Sequence, residues 1–408
     1  MRAPRLARSA RHAQSIDEDS DEQVGADSAD VVLYLGAADV PTLRGLLDAL
    51  DVLSPVRCGA RCGEDGHLAA GSAFRIALPA ACTAVTSVVP EPSRRESRRE
   101  WSLAREPPGP FSVASRGVEG AEGSTTWLDV DGATLLLRRW RSGHGQAVPA
   151  GRSPVVVVHG FGEHSGRYAE MAAALSAAGH DVWAPDLPGH GRSAGPRAFP
   201  GGLEEVLAIL AAVVDRAAAE GQGGDRRARL DGRRPVLLGH SMGGAFAAAY
   251  AVAHPGGAGA LVLSAPAVHL ALRPGWQAAG LRALARLLPR AGTGRIRPEL
   301  LSRDSLEVQA FVEDPLVWHG RVPAASALVM LDAGRRAFEG APGVGIPVLL
   351  LQGADDAIVP PGSTRRLHAA IGSALKELVE VPGGRHELHH DVGRQAVIDR
   401  VVTWLAQR

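Results

Sequence analysis

From Thr125 to the C-terminus, short apolar runs alternate with longer stretches in which apolar residues recur every three or four positions, the pattern of strands followed by helices. Thr125 to Val130 and Ala133 to Trp140 flank Asp131-Gly132, a turn dipeptide that joins two strands into a hairpin. Val155 to Val158 is an unbroken run of valines with no polar alternation, which predicts a strand covered on both faces in a parallel sheet. Further buried strands are predicted at Asp181 to Ala184, Pro235 to Leu238, Ala260 to Leu263, Pro347 to Leu351 and Leu378 to Val381. Helices fit between them at Tyr168 to Ala178, Leu203 to Glu220, Gly244 to Ala253, Ser363 to Ile371 and Val392 to Gln407. This order predicts an α/β fold, a mostly parallel central sheet with helices on both faces.

The rhythm lapses between Ser264 and Pro347, so an inserted helical cap is expected over 266–342, dividing the core into parts at 121–265 and 343–408. Within it, Trp276, Leu281, Leu284, Leu287 and Leu288, with Arg282, Arg286 and Arg290 four apart, predict a basic amphipathic helix. Such a helix either packs on the core with its arginines in water or serves as a lipid-facing lid. Positions 1–120 read differently. They combine an Arg-rich start, the acidic run Asp17 to Glu22 and a charged stretch from Ser93 to Arg105, and only Val31 to Leu53 suggests a strand and a helix. A largely irregular extension is expected, unless the natural protein begins near Val113 or Val118.

Composition narrows the class. Of 408 residues 45% are hydrophobic but only 4% aromatic, so the core is built from Ala, Val and Leu. Basic and acidic residues number 44 each, and the resulting zero net charge gives no whole-chain reason to expect nucleic acid as a partner. Cys58, Cys62 and Cys82 are odd in number, lie in the first hundred residues and match no zinc spacing. No apolar run of about 18 residues predicts a membrane span, and the N-terminal arginines precede no apolar leader segment. A cytoplasmic or membrane-peripheral location is expected.

The chemistry lies at strand ends. Gly239-His-Ser241-Met-Gly243 follows an apolar strand and precedes an Ala-rich helix, the strand-turn-helix setting of a nucleophile elbow. A serine hydroxyl needs a base to take its proton and a carboxylate to orient that base. Downstream, the strand ending near Gly353 runs into Asp355-Asp356, either of which could be the acid, and His386 follows the last strand. Val158-His159-Gly160-Phe161-Gly162 ends another buried strand. The amides of Phe161 and Met242 are expected to form the oxyanion hole, with one donor contributing about 3–4 kcal/mol. Asp186-Leu-Pro-Gly-His-Gly-Arg-Ser193 reads as a rigid turn bracing the neighbouring loops.

Together these residues resemble the monoacylglycerol lipases, serine hydrolases of the α/β-hydrolase fold that release a fatty acid from monoacylglycerol. The resemblance runs from about Ser124 to Leu405 and is carried by His159 to Tyr168, Asp186 to Ser193, Gly239 to Gly244, Leu301 to Asp304, Asp314 to Val317 and His386 to His389. It implies Ser241 as nucleophile, His386 as base and Asp356 as acid, and Glu163, Arg167 and His389 around the glycerol end of the substrate. The implied partner is a monoacylglycerol or similar lipid ester; peripheral membrane contact through the cap is the expectation that follows if its basic amphipathic helix is a lipid-facing lid. No metal or organic cofactor is called for. Two positions depart from the family: Phe161 stands where a small residue is usual, and Arg385 where a tyrosine commonly precedes the histidine. A lysophospholipase or general carboxylesterase on the same scaffold is the nearest alternative, and a non-catalytic binding module a more distant one.

Overall fold

The computed structural model describes residues 28–34, 73–79, 123–142, 152–220, 234–272 and 275–408. The acidic run, the three cysteines, the helix expected before Leu53 and the alternative starts lie outside these residues. Two compact units are present, Met1–Ala104 and Arg105–Arg408. In the first, β1 (Ser28–Tyr34) and β2 (Ala73–Pro79) pair antiparallel, with Ser28 opposite Pro79. Strand β2 carries the period-two alternation Phe74, Ile76 and Leu78, a strand signal outside the segment Val31 to Leu53.

The second unit is built on an eight-stranded sheet. Strands β3 (Ser124–Val130) and β4 (Ala133–Trp140) form the expected hairpin. Its turn needs positive φ at both central residues, found at Asp131 (48°) and Gly132 (85°). The remaining strands are β5 (Val155–Val158), β6 (Val182–Pro185), β7 (Val236–His240), β8 (Ala260–Ser264), β11 (Val348–Gly353) and β12 (Lys376–Val381). They are mutually parallel in the order β12-β11-β8-β7-β5-β6, and β4 joins β6 antiparallel. The expected mixed but mostly parallel sheet is therefore the one observed.

Side chains of these strands alternate between two cores. Val156, Val158, Leu237, Leu261, Leu263 and Leu350 face one side, where they meet α2 (Leu203–Glu220), α3 (Met242–Ala253) and α6 (Ala324–Gly340). Val155, Val157, Leu238, Val262, Leu349 and Leu351 face the other, against α1 (Ala169–Ala177) and α8 (Arg394–Ala406). Each such side chain removed from water contributes about 1.5–3 kcal/mol. Helix α7 (Pro361–Ala370) adds Leu367 to the first core.

The interval expected to form the cap holds α4 (Gly275–Leu287), α5 (Ser305–Glu313) and the short antiparallel pair β9 (Gly292–Gly294) and β10 (Val322–Pro323), followed by α6. Helix α6 contributes Ala327, Met330, Ala333 and Ala337 to the core beside α3. Helix α4 is the predicted basic amphipathic helix, and Ala285 is its one buried residue. Among the described residues no helix is long and apolar enough to cross a membrane.

Candidate active site

Because the strands from β6 to β12 are parallel, the loops that follow β5, β6, β7, β11 and β12 open on the same edge of the sheet. Ser241 occupies the turn between β7 and α3 with φ 52° and ψ −115°, a conformation rarely adopted outside glycine. The turn is possible because its neighbours lack side chains. A Cβ on Gly243 would lie 2.0 Å from the carbonyl oxygen of Val158, and one on Gly239 would lie 2.4 Å from that of Gly243. Both obstacles are backbone and cannot swing away. Gly243→Ala is accordingly expected to cost more than about 4 kcal/mol of stability or to prevent soluble expression, measured by denaturant unfolding; a variant as stable as the parent would show that the turn relaxes freely.

His386, in the loop after β12, accepts at Nε2 from the Ser241 hydroxyl across 2.9 Å, and its Nδ1 donates to Asp356 Oδ2 across 2.8 Å. A carboxylate only accepts, so the proton sits on Nδ1 and the Nε2 lone pair faces the serine. Asp356 is buried and Asp355 exposed, which separates the two carboxylates that the residues alone leave open. Asp356 Oδ1 takes the backbone N–H groups of Ile358 and Val359 at 2.8 and 2.9 Å, and Oδ2 also takes Gln352 Nε2 at 3.1 Å. Burial pushes this carboxyl upward, but the His386 imidazole and the two amides outweigh it and hold the pKa below the ordinary aspartate value. Gln352 is itself fixed by Thr364, whose hydroxyl donates to Oε1 at 2.6 Å.

On the other side of Ser241 lies the loop after β5. His159 accepts at Nε2 from the Leu187 N–H at 2.9 Å, so its proton is on Nδ1, which donates to the Gly160 carbonyl at 2.7 Å. Burial lowers the His159 pKa, which suits this neutral tautomer. The Gly160–Phe161 peptide is trans and planar, so holding its carbonyl at His159 turns the Phe161 N–H to the opposite side. The turn after β6 braces this loop as expected. Asp186 Oδ1 accepts from the Ser165 amide and hydroxyl at 2.8 and 2.6 Å, and Oδ2 from the Arg192 amide at 2.9 Å.

Glu163, Arg167 and His389 are all brought close to this centre and buried. Glu163 Oε1 accepts from Gly160 N at 2.6 Å and Tyr168 OH at 2.7 Å, and Oε2 from Arg167 Nη1 at 3.0 Å. Arg167 also meets Glu387 with both Nη atoms, at 2.8 and 2.7 Å. Burial raises both carboxyls, yet the Arg167 charge overrides it, leaving Glu163 below its usual range and Glu387 at about 2. His389 stacks on Tyr168 at 4.8 Å between ring centroids, and its Nε2 has no hydrogen-bond partner among the described residues. His240 lies 4.8 Å from the His386 ring, its pKa driven to about 4 first by burial and then by that neighbour.

The two departures from the family have partners too. The Phe161 ring packs edge-on against His190 at 5.8 Å. Arg385 donates through Nη1 to the carbonyls of Glu299 and Ser302, the latter at 2.9 Å. Segments of the interval between β8 and β11 reinforce both loops. The Glu387 amide donates to Leu301 O at 2.8 Å, the Trp318 amide to Gly162 O at 2.7 Å, and His164 Nε2 to Asp314 Oδ2 at 2.9 Å.

Residues 150–393 match the family model described as serine aminopeptidase, S33. The chain is 34% identical over 256 residues to the monoacylglycerol lipase of Mycolicibacterium smegmatis, covering 62% of this chain and 88% of that one. It is 30% identical over 287 residues to human monoglyceride lipase, covering 69% and 89%. Among solved structures, the monoacylglycerol lipase of Paleococcus ferrophilus superposes with a TM-score of 0.57 at 32% identity, covering 67% of this chain and 98% of that one. The sheet order, the elbow and these similarities agree: the chain is a serine hydrolase that belongs to the monoacylglycerol lipase family of α/β-hydrolases.

Proposed function

We propose that the protein hydrolyses monoacylglycerols to a free fatty acid and glycerol through an acyl-Ser241 intermediate. The observation that carries the reading is the proton path from the Ser241 hydroxyl to His386 Nε2 and from His386 Nδ1 to Asp356, with links of 2.9 and 2.8 Å. The substrate class follows from the lipases to which the chain is similar. In this mechanism His386 takes the Ser241 proton as the serine oxygen attacks the ester carbonyl. The amides of Phe161 and Met242 receive the negative charge that develops on the carbonyl oxygen. His386 then gives its proton to the departing glycerol oxygen. Water, deprotonated by the same imidazole, attacks the acyl-serine; its proton passes back to Ser241 as the fatty acid leaves.

His389, through its unpartnered Nε2, is our proposed contact for a glycerol hydroxyl, with Glu163 and Arg167 behind it. We assign residues 266–342 as the cap and residues 1–120 as an extension outside the catalytic unit. Helix α4 exposes Trp276 (58%), Leu287 (54%) and the adjoining Leu288 (43%) near Arg286 and Arg290, a face suited to an anionic lipid surface, while Arg282 pairs with Asp332. A cytoplasmic enzyme working at a membrane surface accords with that face.

A substrate panel tests the reading. The purified enzyme should show its highest kcat/KM on a monoacylglycerol, at least about tenfold above a lysophospholipid with the same acyl chain and above p-nitrophenyl butyrate, a discrimination worth about 1.4 kcal/mol. Equal or better turnover of the lysophospholipid transfers the assignment to the lysophospholipase alternative.

A further inference from the structure

One charged residue beside the base has no part in the mechanism above. Glu387 directly follows His386, is buried, and accepts two parallel hydrogen bonds from Arg167. The same guanidinium donates to Glu163, and Glu163 in turn holds the Gly160 amide. The Gly160 carbonyl is held by His159 from the other end. A chain of hydrogen bonds therefore runs from the residue after the base to the Gly160 amide, and His159 fixes the carbonyl of the same residue, so Gly160 is held on both sides immediately before the Phe161 N–H. We infer that Glu387 and Arg167 are positioning residues that join the histidine loop to the oxyanion loop, so that His386 and the Phe161 amide hold a fixed spacing on either side of Ser241. The inference rests on the catalytic reading above.

Three physical features favour positioning over direct contact with substrate. First, the Arg167 guanidinium already serves two carboxylates, and the cap covers its face: the Phe311 ring of α5 lies 4.9 Å from Arg167 Cζ. Second, a planar fork meeting a carboxylate through two bonds specifies distance and angle together, which a lysine ammonium could not do. Third, both ends of the chain are anchored independently. The Glu387 amide donates to Leu301 O at 2.8 Å, and Tyr168 donates to Glu163 at 2.7 Å. Two carboxylates share one guanidinium, so the cluster carries a net negative charge out of water, an arrangement that stability alone does not favour. Its use is to set geometry, and misplacing a reacting group by about 1 Å costs on the order of 100-fold in rate.

The test compares Glu387→Gln, Arg167→Lys and Arg167→Met with the parent on a monoacylglycerol and on p-nitrophenyl butyrate, which has no glycerol. Fluorophosphonate labelling of Ser241 is followed in time on the same samples. Glu387→Gln keeps the shape and leaves one guanidinium facing one carboxylate, so it carries the test if Arg167→Met fails to fold. Positioning predicts a fall in kcat of about 10- to 100-fold on both esters, KM within about threefold of the parent, and labelling slowed by the same factor yet running to completion. Arg167→Lys, which keeps the charge and loses the fork, should restore little. A loss confined to the monoacylglycerol with raised KM would make Arg167 a head-group contact and overturn the inference. So would variants that label and turn over at the parental rate. A parent protein that never labels at Ser241 is a separate result, since it removes the catalytic reading on which the inference stands.

Discussion

Replacing Ser241 with alanine is expected to lower kcat on any ester by about four orders of magnitude or more, because among the described residues Ser241 supplies the hydroxyl held against His386. The fold should persist, since the Ser241 amide and carbonyl, not its side chain, tie the turn to Ser264, Ala245 and Ala267. Ser241→Gly should be equally inactive and at least as stable as Ser241→Ala. Positive φ with a side chain costs about 1–3 kcal/mol, more than the roughly 0.5–1 kcal/mol that glycine loses through its flexible unfolded chain. Asp356→Asn makes a sharper test of the same site. The amides of Ile358 and Val359 both point at Oδ1, so the asparagine must keep its oxygen there and turn its NH2 toward His386 Nδ1. That forces the imidazole proton onto Nε2, facing the serine, where it blocks proton abstraction. The variant should fold and lose about three to four orders of magnitude in kcat. Single-turnover acylation and thermal unfolding measured together decide both cases; an Asp356→Asn enzyme with near-parental acylation would mean that the carboxylate does not select the tautomer.

Much of this site was legible because its determinants are local. Asp131-Gly132 announces a hairpin turn, and the heptad-like spacing of Val206, Leu210, Val213 and Val214 yields a helix at Leu203–Glu220, the range the periodicity predicts. Strand ends moved by a residue or two because inter-strand register, not local sequence, decides where pairing stops. The elbow and the histidine loop carry their own signatures. What stayed hidden depends on distance along the chain. Glu163 and Arg167 are a readable i,i+4 pair, but Glu387 lies 220 residues from Arg167 and nothing local links them. The choice between Asp355 and Asp356 turns on where two amides point, which no spacing encodes. Helices α5 and α6 were missed for different reasons. Helix α5 is short, with Phe311 its one buried residue. Helix α6 buries mostly small side chains, so its apolar stripe is faint although it completes the core beside α3. Gln352 could have been found: a lone amide closing the apolar run Val348 to Leu351 has to satisfy its polar atoms somewhere, and here it does so on Asp356 and Thr364.

Below about pH 6.5 the protein should lose stability steeply, before its carboxylates begin to titrate. Among the described residues five histidines, His159, His180, His190, His240 and His389, are buried with depressed pKa values. Burial, then the neighbouring His159, drives His190 to about 3; burial and His386 drive His240 to about 4. His389 is lowered well below the ordinary value and His159 is also lowered, both mainly by burial. In the unfolded chain each titrates near 6.5. Between that value and the folded one, the unfolded form binds the proton and the native form does not, so these groups leave stability intact above about pH 7 and subtract from it as pH falls. Near pH 5, His190 and His240 alone approach a difference of two protons, a slope of about 3 kcal/mol per pH unit, and the other lowered imidazoles act in the same direction. Against a total stability of about 5–15 kcal/mol, that slope brings unfolding within one to a few pH units. Asp186, Asp356 and Asp391 are lowered in the native state and act in the same direction, but only once the pH approaches their unfolded value near 4. Urea unfolding at pH 8, 7, 6 and 5 measures the slope directly. His190→Gln keeps a donor toward the Pro188 carbonyl, which His190 Nδ1 serves at 2.9 Å, and removes the titrating group, so it should reduce the slope by about one proton. A midpoint that stays constant from pH 8 to 5 would mean that these imidazoles are solvated enough to charge in place, and the neutral tautomer of His159 that holds the Gly160 carbonyl would lose its basis with them.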